Sequence, residues 1–127
     1  MPRPAALLAS LKTKITTPLY AETRAFYEEV MGFDIAEVWD EAEDAGVIYR
    51  LGPEGGNACL EVYRGEDGEG FERLSLQFKT ADLDAFLVAL DGRWPHRGPT
   101  PRPWGSTYLY LEDPNGVSIV VFSGEGL

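Results

Sequence analysis

PWGSTYLYLEDPNGVSIVVF, residues 103–122, places two apolar-rich runs on either side of Asp113-Pro114-Asn115-Gly116. Pro114 presets φ at the second position of a type I turn, and Gly116 can take the left-handed conformation that completes a bulged hairpin loop. The loop is then three residues long, so Asp113 pairs with Val117, Tyr110 lies opposite Val120, and Tyr108 lies opposite Phe122. The side chains of Tyr108, Tyr110, Val120 and Phe122 then share one sheet face. A two-residue loop would reverse the parity and turn them to the other face.

Upstream of this hairpin, Asp82 suits a helix N-cap. Leu83, Phe86, Leu87 and Leu90 follow at helical spacing, and Gly92 supplies the stop. About sixty residues earlier the same signals recur. Pro18 after Thr17 can occupy a first helical position, Phe26, Tyr27 and Val30 recur on one side, and Gly32 ends the segment. Strand-like runs bounded by turn residues lie at 33–39, 47–51 and 58–63 after the first helix, and at 93–100, 107–112 and 117–122 after the second. With a strand before each helix, the order strand, helix, three strands is written twice. The expected fold is α+β: two βαβββ modules, about 10–64 and 72–123, within one domain spanning residues 1–127. Their strands make a curved, mostly antiparallel sheet cleft with the helices on the outer face.

Alternation describes the face that the helices leave uncovered. Leu74, Leu76 and Phe78 alternate with Arg73, Ser75, Gln77 and Lys79, and Thr13 and Ile15 alternate with Lys12, Lys14 and Thr16. The apolar sets belong under the helices and the polar sets on the open face. Such a face is either plain solvated sheet or a place for a ligand.

Composition limits what that ligand is. The chain has 127 residues, 44% of them hydrophobic, which suits one main core. With 21 acidic and 11 basic residues the formal charge is −10, so nucleic acid is repelled and excluded as a partner. The acidic stretches from Glu37 to Asp44 and from Glu66 to Glu72 read as solvated loops or edges. The single Cys59 offers neither an internal disulfide nor a paired-cysteine motif, which points to a reducing cytoplasm. The opening segment is too short to be a signal peptide or a membrane span, so no membrane association is expected.

Together with FYEEVMGF in the first helix, the closing segment resembles the vicinal oxygen chelate superfamily of glyoxalases, bleomycin-resistance proteins and extradiol dioxygenases. In that superfamily an FYxxxLGF helix and a WG…DPxG hairpin mark the two modules. The likeness covers nearly the whole chain and is greatest to the bleomycin-resistance type. It implies four metal-ligand positions, which here fall on Lys12, Glu61, Ser75 and Val120. Glu61 alone is of the expected ligand type. Three or more converging N, O or S donors cannot be assembled from that set, so no metal and no other cofactor is expected. His96, among Trp94, Pro95, Arg97 and Gly98, reads as a surface loop histidine.

The candidate ligand-binding residues are Lys12, Lys14, Trp39, Glu61, Ser75, Gln77, Tyr108 and Tyr110. Lys12 and Glu61 are expected to form a salt bridge in the vacated metal position, to serve the ligand, or both. Trp39 either stacks on a ligand or packs; Trp104 is expected to pack as an anchor. The leading expectation is a metal-free protein that sequesters a small cationic or aromatic compound. The alternatives are an enzyme of the same superfamily, metal-dependent or a metal-free isomerase with Glu61 as base, and an assembly module without its own ligand. A homodimer is expected, since the resemblance implies that two chains complete each other's clefts.

Overall fold

The computed structural model of the chain describes residues 3–8, 11–52, 58–66, 70–71 and 74–125. It divides into two compact units, Met1–Gly68 and Glu69–Leu127. In the first, a 3-10 turn at Pro4–Leu7 precedes β1 (Leu11–Thr17), α1 (Tyr20–Ala25) with a π-helical turn at Phe26–Val30, β2 (Asp34–Glu41), β3 (Asp44–Leu51) and β4 (Ala58–Arg64). The second holds β5 (Ser75–Lys79), α2 (Leu83–Leu90), β6 (Arg97–Pro101), β7 (Ser106–Glu112) and β8 (Ser118–Gly124). The strand orders are β1-β4-β3-β2 and β5-β8-β7-β6. In each sheet the first strand of the module runs parallel to the last, and the remaining pairs are antiparallel. The fold is thus α+β, two βαβββ modules of one topology.

The first core forms where alternation brings apolar side chains beneath the helix. Ile15, Val47, Tyr49, Leu60 and Val62 are buried with Phe26 and Tyr27. Tyr27 stacks on Phe33 at 5.6 Å and meets Phe26 edge-on at 4.9 Å. Each such side chain contributes about 1.5–3 kcal/mol when fully withdrawn from water.

This helix departs from the sequence expectation at its start and in the form of its last turn. It begins at Tyr20, with Pro18 ahead of it, because the Thr17 hydroxyl accepts from Leu19 N at 2.9 Å and closes a local turn first. Its last turn is wide: Met31 N donates to Phe26 O and Phe33 N to Tyr27 O, both at 2.9 Å. Gly32, at φ +74°, ends the segment as expected.

A second core forms between β7, β8 and α2. Leu109, Leu111, Ile119 and Val121 are buried, as are Leu83 and Leu90 on the helix. Asp82 caps α2, its carboxylate accepting from Ala85 N at 3.0 Å. The hairpin has the expected register, with Tyr110 opposite Val120 and Tyr108 opposite Phe122. Asp113 N donates to Val117 O at 3.0 Å, and Gly116 has φ +81°.

Two strands begin away from their expected positions. β3 starts at Asp44 rather than at residue 47, and β6 starts at Arg97 rather than at residue 93. The acidic stretch from Glu37 to Asp44 is accordingly the edge strand β2 and its turn; charges on an edge discourage pairing with other chains. Arg73, and Glu72 at the end of the other acidic stretch, lie outside the described residues.

Candidate functional site

On β1, Lys12, Lys14 and Thr16 point away from α1, and Ile15 points toward it. Parallel pairing sets Lys14 beside Glu61 and Lys12 beside Cys59. The result is a clamp: Lys12 Nζ lies 2.8 Å from Glu61 Oε1, and Lys14 Nζ lies 3.5 Å from Oε2. Glu61 is only 5% exposed although it faces away from the helix. The hydrogen bond and charge of Glu61 raise the Lys12 ammonium above its ordinary range. The Lys12–Glu61 pair matches the reading of the sequence. The second lysine was placed on this face by the sequence, but its contact with Glu61 depends on the β1–β4 register.

The polar strip continues across the sheet. Lys14 Nζ sits 4.4 Å from the centre of the Tyr63 ring. A hydrogen bond with Asp44 raises the Tyr63 phenol, and bonds from Trp39 and then Tyr63 lower the Asp44 carboxyl. Trp39 Nε1 donates to Asp44 Oδ1 at 3.1 Å. Cys59 is half-buried in this face and has Lys12 and Arg50 as its register neighbours. Tyr63 was not singled out in the sequence, and Asp44 was read only as the end of an acidic stretch. Tyr63 was within reach, since it stands two residues after Glu61 and must share its face.

On the second sheet, Ser75 and Gln77 are exposed on the open face, register neighbours of Ser118 and Val120. The aromatic residues form a ladder there. Trp104 meets Tyr108 edge-on at 5.6 Å, and Tyr108 lies 5.9 Å from Tyr110 and 5.7 Å from Phe122. Trp104 packs as expected on one side yet remains 56% exposed. Two guanidinium groups lie on the ladder: Arg97 at 4.7 Å from the Tyr110 ring and Arg102 at 4.9 Å from the Trp104 ring.

Beside Arg97 opens a pocket of about 500 Å³ lined by Trp94, His96, Arg97, Tyr110, Glu112 and Ser118 among others. His96 is exposed in the loop before β6, as expected, with Nδ1 3.0 Å from Trp94 O. Sequence reasoning missed this pocket. The strand that builds it contains Gly98-Pro99 and a register shift between Arg97 and Thr100, so no alternation marks Arg97 as a partner of Tyr110.

The donors at the four family ligand positions do not suit a metal ion. Both carboxylate oxygens of Glu61 meet ammonium groups, Lys12 is itself one of those groups, and Val120 has no donor atom. Among the described residues no other group of three or more His, Cys, Asp or Glu side chains converges.

A pair of four-stranded modules, each with one helix and an open polar and aromatic face, defines a class of fold before any name is attached to it. Residues 10–121 match the profile of the Glyoxalase/Bleomycin resistance protein/Dioxygenase superfamily, and the chain belongs to that family. Among solved structures it is similar to TnmS3, an antibiotic binding protein from Streptomyces sp. CB03234, with TM-score 0.73 and 22% identity over 94% of this chain and 98% of that one. It is similar also to a bleomycin resistance determinant encoded on the transposon Tn5, with TM-score 0.68 and 21% identity over 94% and 100% of the two chains. Lactoylglutathione lyase from Agrobacterium tumefaciens shares the fold at TM-score 0.68 and 20% identity, over 91% and 93%. No curated protein matches the chain. Among the described residues no helix is long and apolar enough to cross a membrane.

Proposed function

We propose that this chain binds a small organic molecule on the open faces of its sheets without a resident metal, and sequesters it rather than transforming it. The observation that carries this reading is the clamp on Glu61. Where the family fold would direct a carboxylate at a metal, both oxygens here meet lysines. The clamp also disfavours the isomerase alternative, because Glu61 would have to leave both ammonium groups to take a proton from a substrate. Two fold relatives, TnmS3 and the Tn5 determinant, are described as an antibiotic binding protein and a bleomycin resistance determinant, in keeping with a binding role.

Of the two ligand types expected, aromatic is better supported than cationic. Trp39 and Tyr63 on one sheet, and Trp104, Tyr108 and Tyr110 on the other, give planar surfaces for stacking. Ser75, Gln77 and the Lys12–Glu61–Lys14 clamp supply donors and acceptors around them. The working unit is the single domain of residues 1–127, assembled as a homodimer in a reducing cytoplasm. Light scattering near twice 14.0 kDa, persisting on dilution to low micromolar concentration, is the expected result for the dimer. A monomer throughout that range would refute it.

A thermal-shift screen of small aromatic compounds, run with and without divalent metals, tests the function. A ligand selective for the native state raises its melting temperature. Stabilisation by aromatic compounds, equal in both arms, is expected. Stabilisation only when metal is added, or conversion of the stabilising compound into a product, would reverse the reading in favour of an enzyme.

A further inference from the structure

The arginines of β6 and the turn after it differ from the ion-paired cations of the chain. Lys12 and Lys14 meet Glu61, Arg24 meets Glu28, and Arg64 meets Asp40 and the carbonyls of Glu41 and Ala42. Arg97 and Arg102 meet no carboxylate among the described residues, although 21 carboxylates are available in the chain. Each contacts an aromatic ring instead, and Arg102 Nε is buried with no hydrogen-bond partner. A guanidinium resting on a ring is held in place while the N–H groups around its rim stay able to donate. Such a fork suits a planar anion, which can accept two of those bonds at once.

Arg97 borders the pocket, where Trp94 and Tyr110 supply aromatic wall and Ser118 and His96 supply small polar groups. Glu112 is the one pocket carboxylate left to oppose an anion. The other, Asp113, is buried and committed to the turn, accepting from the amides of Asn115 and Val117. On the open face of this sheet the two ring-held guanidinium groups of Arg97 and Arg102 outweigh Glu112, in a chain whose net charge is −10. The local sign is opposite to that of the molecule.

We infer that this pocket takes an aromatic molecule bearing a carboxylate or comparable planar anion, with the anion on the rim of the Arg97 guanidinium and the ring against Trp94 and Tyr110. The inference rests on the small-molecule-binding reading above and narrows it. A cationic ligand, admissible from overall charge alone, is the wrong class for this module.

Three probes of one shape and different charge make the test: naphthoate, naphthylmethanol and naphthylmethylamine, titrated by calorimetry against the full chain. Naphthoate is expected to bind at least about tenfold more tightly than the other two, the scale of a charge-assisted hydrogen bond. Arg97→Gln is expected to abolish that preference and leave the weak binding of naphthylmethanol within about twofold. Arg3→Gln, which makes the same charge change in an exposed N-terminal residue, should leave the preference intact. Equal binding of all three probes, tighter binding of the amine, or a preference that survives Arg97→Gln would each overturn the inference while leaving the binding function standing. Failure of all three probes, together with an empty thermal-shift screen, would overturn both.

Discussion

The indole of Trp39 lies across Gly46 on the neighbouring strand, so close that a Cβ at Gly46 would fall 2.7 Å from Trp39 Cη2. Gly46 is buried beneath the ring and its backbone is not left-handed, so glycine is required here for space and not for conformation. Gly46→Ala should lift the indole, break its bond to Asp44 and destabilise the fold by about 1–3 kcal/mol. In a background where Trp94 and Trp104 are phenylalanine, emission from Trp39 should shift to the red. Unchanged emission and stability would show that the strand yields instead.

Glu61→Gln should change ligand affinity, or stability where no ligand is present, more than Glu66→Gln does. The first substitution leaves two ammonium groups side by side without their counter-charge. The second alters an exposed residue after β4, where an effect within about 0.5 kcal/mol is ordinary. Chemical denaturation and ligand titration on both variants decide the matter, and equal small effects would remove Glu61 from the site.

Purified protein, dialysed against chelator, should hold far less than one equivalent of zinc, nickel, iron or manganese per chain. Elemental analysis checks this directly. A stoichiometric metal would mean that Lys12 leaves Glu61 and that donors outside the four family positions complete the shell.

Acid should weaken the first unit through Glu28. Burial pushes its carboxyl up, but hydrogen bonds from Arg24 and Tyr49 outweigh that and hold it below the usual carboxylate range. A lowered folded pKa gives stability that is present above the ordinary glutamate value, about 4.3, and lost as pH falls through the folded value. Tyr49 carries the opposite sign. Burial and the Glu28 bond raise its phenol, so its contribution holds below about pH 10 and fades at higher pH. The unfolding free energy of Glu28→Gln from chemical denaturation should lie below wild type at pH 7, by about 2 kcal/mol, and converge with it in acid. A constant offset across the acid range would mean that the pair is not linked to protonation.

Asp113→Ala should cost about 2 kcal/mol or more. Its buried carboxylate accepts from Asn115 N at 2.8 Å and Val117 N at 2.9 Å, and the substitution removes the acceptor of both bonds. Asp113→Asn, which keeps one acceptor oxygen, should recover part of the loss. If the alanine variant is as stable as wild type, the backbone bond from Asp113 N to Val117 O fixes the hairpin unaided.

The fold was legible wherever local chemistry fixes geometry. A three-residue loop settles the parity of Tyr108 and Tyr110, and an N-cap followed by helical spacing settles α2. The start of α1 was not legible, because Pro18 tolerates a first helical position while the Thr17 hydroxyl quietly closes a different turn. Nor was the π turn at Phe26–Val30, where one inserted residue leaves the apolar pattern readable as an ordinary helix. For the site, alternation assigned Lys12, Lys14, Ser75 and Gln77 to open faces. It could not pair Lys14 with Glu61, distant in the chain, or show that Arg97 is held by a ring.

The distribution of natural probes follows from this layout. Cys59 is the only thiol, half-exposed on the open face of the first sheet, two residues from Glu61. Trp94 and Trp104 belong to the second. A maleimide dye on Cys59 and the intrinsic emission of the two tryptophans therefore form separate optical channels, one for each module, with Trp39 replaced by phenylalanine to keep them apart. Titrated with a single compound, the dye-labelled native cysteine and the two native indoles can report which half of a duplicated fold responds to it.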